Sequence, residues 1–176
     1  MASPRNFKRI ISGDSHVMEP FDTWWNALGH KFGDRTPRLI DEWEGKKGRF
    51  FYTGYLGAPV TDVSLFEPTP ETEAAAYEAN EKGFEACGYD PAVRVRWQEE
   101  AGISAEVMNS TLLLLFLRNP DYEVLRACAE VFNDWETEFV SYNPKRLIGV
   151  SVIPVENVDW AVKELERTAK RGLKGA

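Results

Sequence analysis

Asp14 and His16, one residue apart, are the pair whose types and spacing best suit chemistry in this chain. Side chains two apart on an extended strand leave the same face, so this carboxylate and imidazole can converge on one ion. Glu19 follows closely enough to join them. A carboxylate beside a neutral imidazole suits a divalent metal, Zn²⁺ first, with Mn²⁺ or Fe²⁺ as alternatives. Such an ion lowers the pKa of a bound water or polarises a substrate oxygen. Without context, the same D-x-H more often means an aspartate that caps a turn and a histidine satisfied within a loop. The other histidine, His30, stands in an irregular stretch and reads as a surface or packing residue.

The elements that must position the pair are legible around it. Residues 8–13, centred on Ile10 and Ile11, read as a short strand that presents the motif at its C-terminal end. Residues 21–66 mix Gly, Pro, Trp and Tyr and read as an irregular insertion or lid. Residues 71–86, rich in Ala and Glu, predict a helix, and Asp90-Pro91 opens another that Gly102 ends. Residues 103–109 read as the second strand, ending at Asn109 and Ser110. Asn119-Pro120 starts a helix whose Leu125, Cys128, Phe132, Trp135 and Phe139 recur at three- and four-residue spacing, an apolar stripe that should lie on a sheet. Residues 147–153 predict a strand buried on both faces. The helix after it carries Val158, Ala161, Val162, Leu165 and Ala169 on one face and ends at Gly172, and residues 173–176 read as the start of another strand.

Strands alternating with amphipathic helices give βαβ units and a parallel sheet. The expected fold is therefore α/β of TIM-barrel (β/α)8 type. Such barrels need about 250 residues, so the 176 residues here make one domain, 1–176, of roughly half a barrel. Half-barrels leave strand edges unpaired, which predicts a homo-oligomer.

The formal net charge of -7 excludes a nucleic-acid footprint, because the basic residues are scattered among acids. Cys87 and Cys128 lie far apart in helical stretches, which suits reduced thiols and not a disulfide framework or metal knuckle. The start has no apolar leader core, and the longest apolar run, 112–117, is too short to cross a bilayer, so cytoplasm is the expected location.

The motif continues as Asp14-Ser15-His16-Val17-Met18-Glu19-Pro20, with Asp22 and Trp24 just after. Downstream stand Asn133-Asp134-Trp135 to Ser141, Pro144-Lys145-Arg146-Leu147-Ile148-Gly149-Val150, Ile153-Pro154 and Gly172-Leu173-Lys174-Gly175-Ala176. In these stretches the chain resembles the N-terminal half of the amidohydrolase-related family, in the branch of the aminocarboxymuconate semialdehyde and resorcylate-type decarboxylases. That branch carries H-x-H, E-x-H or D-x-H on its first strand, often followed by E-P. The resemblance implies that Asp14 and His16 are metal ligands and that the substrate is a small-molecule carboxylic acid. It also implies that the remaining ligands, a His from a middle strand and an Asp from the last, and the acid/base histidine lie beyond Ala176.

Two further candidates concern the substrate. Arg118, after the strand-like run 112–117, is a candidate to bind a carboxylate bidentately, set against the commoner surface arginine. Trp24, with Trp25, Phe50, Phe51, Tyr52 and Tyr55, is a candidate to line an aromatic pocket, set against an ordinary lid core. Three functions follow: a metal-dependent hydrolase or decarboxylase, a non-catalytic half-barrel that self-associates, and a metallophosphatase. The last needs a second G-D-x-x-D-type cluster and an N-H pair, and the stretch from Asn26 to His30 supplies neither.

Overall fold

In chain order the elements are β1 (Ile11–His16), α1 (Thr23–Phe32), β2 (Arg38–Trp43), β3 (Lys46–Tyr52), β4 (Gly57–Pro59), α2 (Pro91–Ala101), β5 (Ala105–Asn109), α3 (Tyr122–Ser141), β6 (Leu147–Gly149) and α4 (Val158–Arg171). The computed structural model describes residues 9–60 and 85–176. The helix expected over 71–86 lies outside the described residues except for its end, where Glu85–Gly88 form a 3-10 turn.

β1, β5 and β6 form one parallel sheet in that order. Leu173–Gly175 extend it on the far side, where Lys174 N donates to Gly149 O and Ser151 N to Gly175 O, each at 2.8 Å. Among the described residues the sheet is open, with β1 as its outer strand. The regular part of β6 is shorter than expected, three residues against the seven of 147–153.

The helices follow their caps. Asp90 accepts from Ala92 N and Val93 N, Pro91 takes the first helical position, and Gly102 closes α2 at φ 71. α3 starts two residues later than expected: Asp121 caps it, accepting from Val124 N, while the Asn119 side chain accepts from Asp121 N. Its stripe lies on the sheet as anticipated, with Leu125, Cys128, Phe132 and Phe139 buried. The thiols of Cys87 and Cys128 are free and buried.

Of the apolar residues on one face of α4, only Ala161 is buried; Val158, Val162, Leu165 and Ala169 are exposed, and Glu164 and Thr168 face inward beside Ala161. The reason is polar pairing with α3, because Asn133 Nδ2 donates to Glu164 Oε1 at 2.8 Å and Arg167 holds the same carboxylate. The run 112–117 is not strand-like; Leu113–Phe116 form a 3-10 turn that buries Leu112, Leu113 and Phe116 and exposes Leu114 and Leu117.

The described part of the insertion is not irregular. β2, β3 and β4 form an antiparallel sheet, and β2 joins β3 through Glu44 (φ 51) and Gly45 (φ 76), the two left-handed residues of a tight hairpin. An aromatic cluster docks this unit on the main core. Trp24 meets Phe116 edge-on at 5.1 Å and Phe51 at 5.9 Å. No helix among the described residues is long and apolar enough to cross a membrane.

Glu136 of α3 is an acid inside this core. Its Oε1 accepts a 3.4 Å bond from Val150 N, while Oε2 has no partner among the described residues. Burial, with the Glu19 carboxyl nearby, pushes its pKa up to about 9. A raised carboxyl binds its proton more tightly folded than unfolded, so it contributes stability below the ordinary value of 4.5 and loses it as pH rises toward about 9. Glu136→Gln should therefore lose less stability than the parent across that window, as read by urea melts at stepped pH; parallel losses would show that Glu136 does not titrate this way.

Candidate metal centre

β1 ends with Asp14 and His16 beside the end of β5, where His16 is in register with Asn109. His16 Nδ1 lies 2.9 Å from the Ser110 carbonyl oxygen. A carbonyl can only accept, so Nδ1 carries the proton, and in the neutral ring Nε2 keeps its lone pair. That nitrogen faces Asp14 Oδ1 at 3.6 Å. The Asp14 carboxylate is itself held, because Asn109 Nδ2 donates to Oδ1 and to the Ser15 carbonyl, both at 3.3 Å.

A ligand lone pair and a carboxylate oxygen thus converge on open solvent, with side-chain exposures of 44% for His16 and 86% for Asp14. The donor set fits a divalent ion, and the backbone bond to Nδ1 is the support that metal-binding histidines commonly have. It remains a pair: among the described residues no group of three His, Cys, Asp or Glu is assembled.

Glu19 is not brought to them. It is fully buried, its carboxylate accepting from the Ser110 hydroxyl, from Leu112 N at 2.9 Å and from Thr111 N at 3.3 Å. Burial raises its pKa, against the opposing pull of these bonds. Glu19 therefore caps the 3-10 turn after β5 and ties it to the chain leaving β1, which fixes the Ser110 carbonyl that His16 uses. The two ends are joined again where Val17 N donates to Asn109 O at 2.9 Å.

Trp24 also departs from its expected place. It has no exposed surface, and its Nε1 donates to Cys128 O at 3.0 Å, so it holds α1 on α3 instead of lining an open pocket. Arg118 is exposed, just past the 3-10 turn, without an ion pair among the described residues. His30 is at the surface, one of the two places expected for it, but it stands in the last turn of α1 and not in an irregular stretch. The sequence marked Asn109 and Ser110 only as the end of a strand. Their roles rest on a side-chain amide and a backbone carbonyl, and no residue pattern encodes the second.

The chain is similar to an amidohydrolase from Mycobacterium avium subsp. paratuberculosis K-10, at 18% identity and a TM-score of 0.67, over 96% of this chain and 48% of that one. This is the fold of half an amidohydrolase barrel. A dihydroxybenzoic acid decarboxylase from Polaromonas sp. JS666, solved with bound manganese and the inhibitor 2-nitroresorcinol, matches at 18% identity and a TM-score of 0.56. A 2,6-dihydroxybenzoate decarboxylase from Rhizobium matches at 16% and 0.51; in both, the match covers 96% of this chain and 37% of the other. The chain thus spans less than half the length of these amidohydrolase-type barrels. No protein-family model matches the sequence.

Proposed function

We propose that this half-barrel carries the first-strand ligands of a divalent metal site in an amidohydrolase-related enzyme, a hydrolase or decarboxylase acting on a carboxylated aromatic or unsaturated acid. The observation that carries the reading is the His16 ring, held through Nδ1 on the Ser110 carbonyl so that Nε2 faces Asp14. The likeness to decarboxylases of dihydroxybenzoates supports the substrate class, and the manganese bound to one of them supports a divalent ion, for which Zn²⁺ and Mn²⁺ are our candidates.

In this reading Asp14 and His16 hold the ion, Asn109 orients the carboxylate, and Ser110 fixes the imidazole tautomer. Arg118, on the loop following β5, is the residue of the described chain we assign to a substrate carboxylate. When bound, the metal supplies Lewis-acid polarisation of a substrate oxygen and an acidified water. The acid/base group and the remaining ligands belong to the half of the barrel that this chain does not span.

One observation favours a second reading, self-association. Among the described residues β1 is the outer strand of an open sheet, and Val158, Val162 and Leu165 form an exposed apolar row on α4. Both readings are tested on one sample of the 176-residue chain. Elemental analysis after equilibration with Mn²⁺ or Zn²⁺ and gel filtration should find metal that Asp14→Ala/His16→Ala removes, and equal metal in both proteins would refute the ligand assignment. Sedimentation velocity should show a dimer if the second reading holds, and a monodisperse monomer would exclude it.

A further inference from the structure

The register of β1 on β5 slips inside the motif. Ser12 is opposite Glu106 and Ser15 is opposite Met108, so two residues, Gly13 and Asp14, face the single residue Val107. This is a β-bulge, and it changes which way the motif points. In a regular strand Ser12 and Ser15 would leave opposite faces, since alternation has period two. Here their hydroxyls meet at 2.8 Å on one face. Asp14 and His16 are accordingly on the other, with Asn109. Continued without a bulge from Ser12, the same sequence would turn Asp14 and His16 to the side of Glu106.

The face of Ser12 and Ser15 carries a lock for this register. Ser15 Oγ lies 2.9 Å from Glu106 Oε1, and because a carboxylate only accepts, Ser15 donates to Glu106 and accepts from Ser12. Arg94 of α2 grips the same carboxylate through Nε at 2.7 Å and Nη2 at 3.0 Å, and Gln98 Nε2 donates to it at 2.7 Å. The Arg94 fork reaches on to the carbonyl oxygen of His16 at 3.1 Å. Burial alone would push the Glu106 carboxyl up, but the bonds from Arg94, Gln98 and Ser15 and the Arg94 charge outweigh it and hold it below the usual carboxylate value.

We propose that Ser12, Ser15, Glu106 and Arg94 are positioning residues that lock the Gly13-Asp14 bulge and thereby turn Asp14 and His16 to the face where they bind metal. The proposal rests on the ligand reading above for its purpose, but its geometry is tested without metal. A strand with its extra residue released has two near-equivalent registers, and the pair of serines on a buried charged acceptor selects one of them.

The test uses the full chain and its two histidines, with His30 as internal control. Long-range ¹H–¹⁵N spectra at about pH 8, where an ordinary imidazole is neutral, read each ring's tautomer. The parent should show His16 with its proton on Nδ1. Ser12→Ala/Ser15→Ala should shift His16 toward the Nε2–H form that a free imidazole favours, leave His30 unchanged, and weaken Mn²⁺ binding by about 10-fold, the scale of lost supporting contacts at metal sites. Deleting Gly13 removes the extra residue while keeping the serines and the D-x-H on their present faces. It should therefore restore the Nδ1–H signal in the double-alanine background, a rescue that general damage to the fold would not give. An unchanged His16 tautomer in the folded double variant, or no rescue on deletion, overturns the proposal. If the tautomer responds as stated but neither parent nor variants bind Mn²⁺, the lock stands and the metal reading falls.

Discussion

Glu106 is an ionised carboxylate placed between β5 and α2, satisfied by donors from Ser15, Arg94 and Gln98. A buried ion pair of this kind is a poor source of net stability, because desolvating both groups offsets their attraction. What it supplies is specificity. In the observed arrangement of β1, Ser15 donates to Glu106 and Arg94 reaches the His16 carbonyl. Gln98 also bonds to the Arg146 carbonyl, and Arg146 returns bonds to Gln98 and Glu99, so the network extends from β1 through α2 and β5 to the start of β6.

On the opposite face the same arrangement produces a pair of donors and little else. Asp14 and His16 are open to solvent, with Asn109 and the Ser110 carbonyl behind them. The second carboxylate of the motif region, Glu19, serves underneath, where it fixes the turn that presents Ser110. In the proposed site the solvent-facing residues would offer ligand atoms, and the buried ones fix their direction.

Much of this was legible in the sequence, and the limits have physical causes. The parallel αβ alternation, the Asp90-Pro91 cap, the Gly102 and Gly172 stops and the buried stripe of α3 follow from periodicity and capping, which are local. Which side of α4 faces inward is not legible in its apolar residues, because Asn133 of α3 pairs with Glu164, a contact between elements. Leu112 to Leu117 misled because a run of apolar residues does not distinguish a strand from a turn whose amides a distant glutamate caps. The hairpin of β2 and β3 was missed although Glu44-Gly45 marked it. The D-x-H spacing made Asp14 and His16 legible as neighbours on one face, whereas the bulge beneath them, which we assign to Glu106 and Arg94, involves residues far along the chain.

The central claim is that Asp14 and His16 act together on one divalent ion. The most direct measurement is substoichiometric Mn²⁺ titration of the isotopically labelled chain, following paramagnetic broadening of side-chain signals. The account predicts that the His16 ring and the Asn109 amide broaden first, while the His30 ring stays sharp. Broadening of His30 before His16, or of exposed carboxylates with no preference for Asp14, would contradict it.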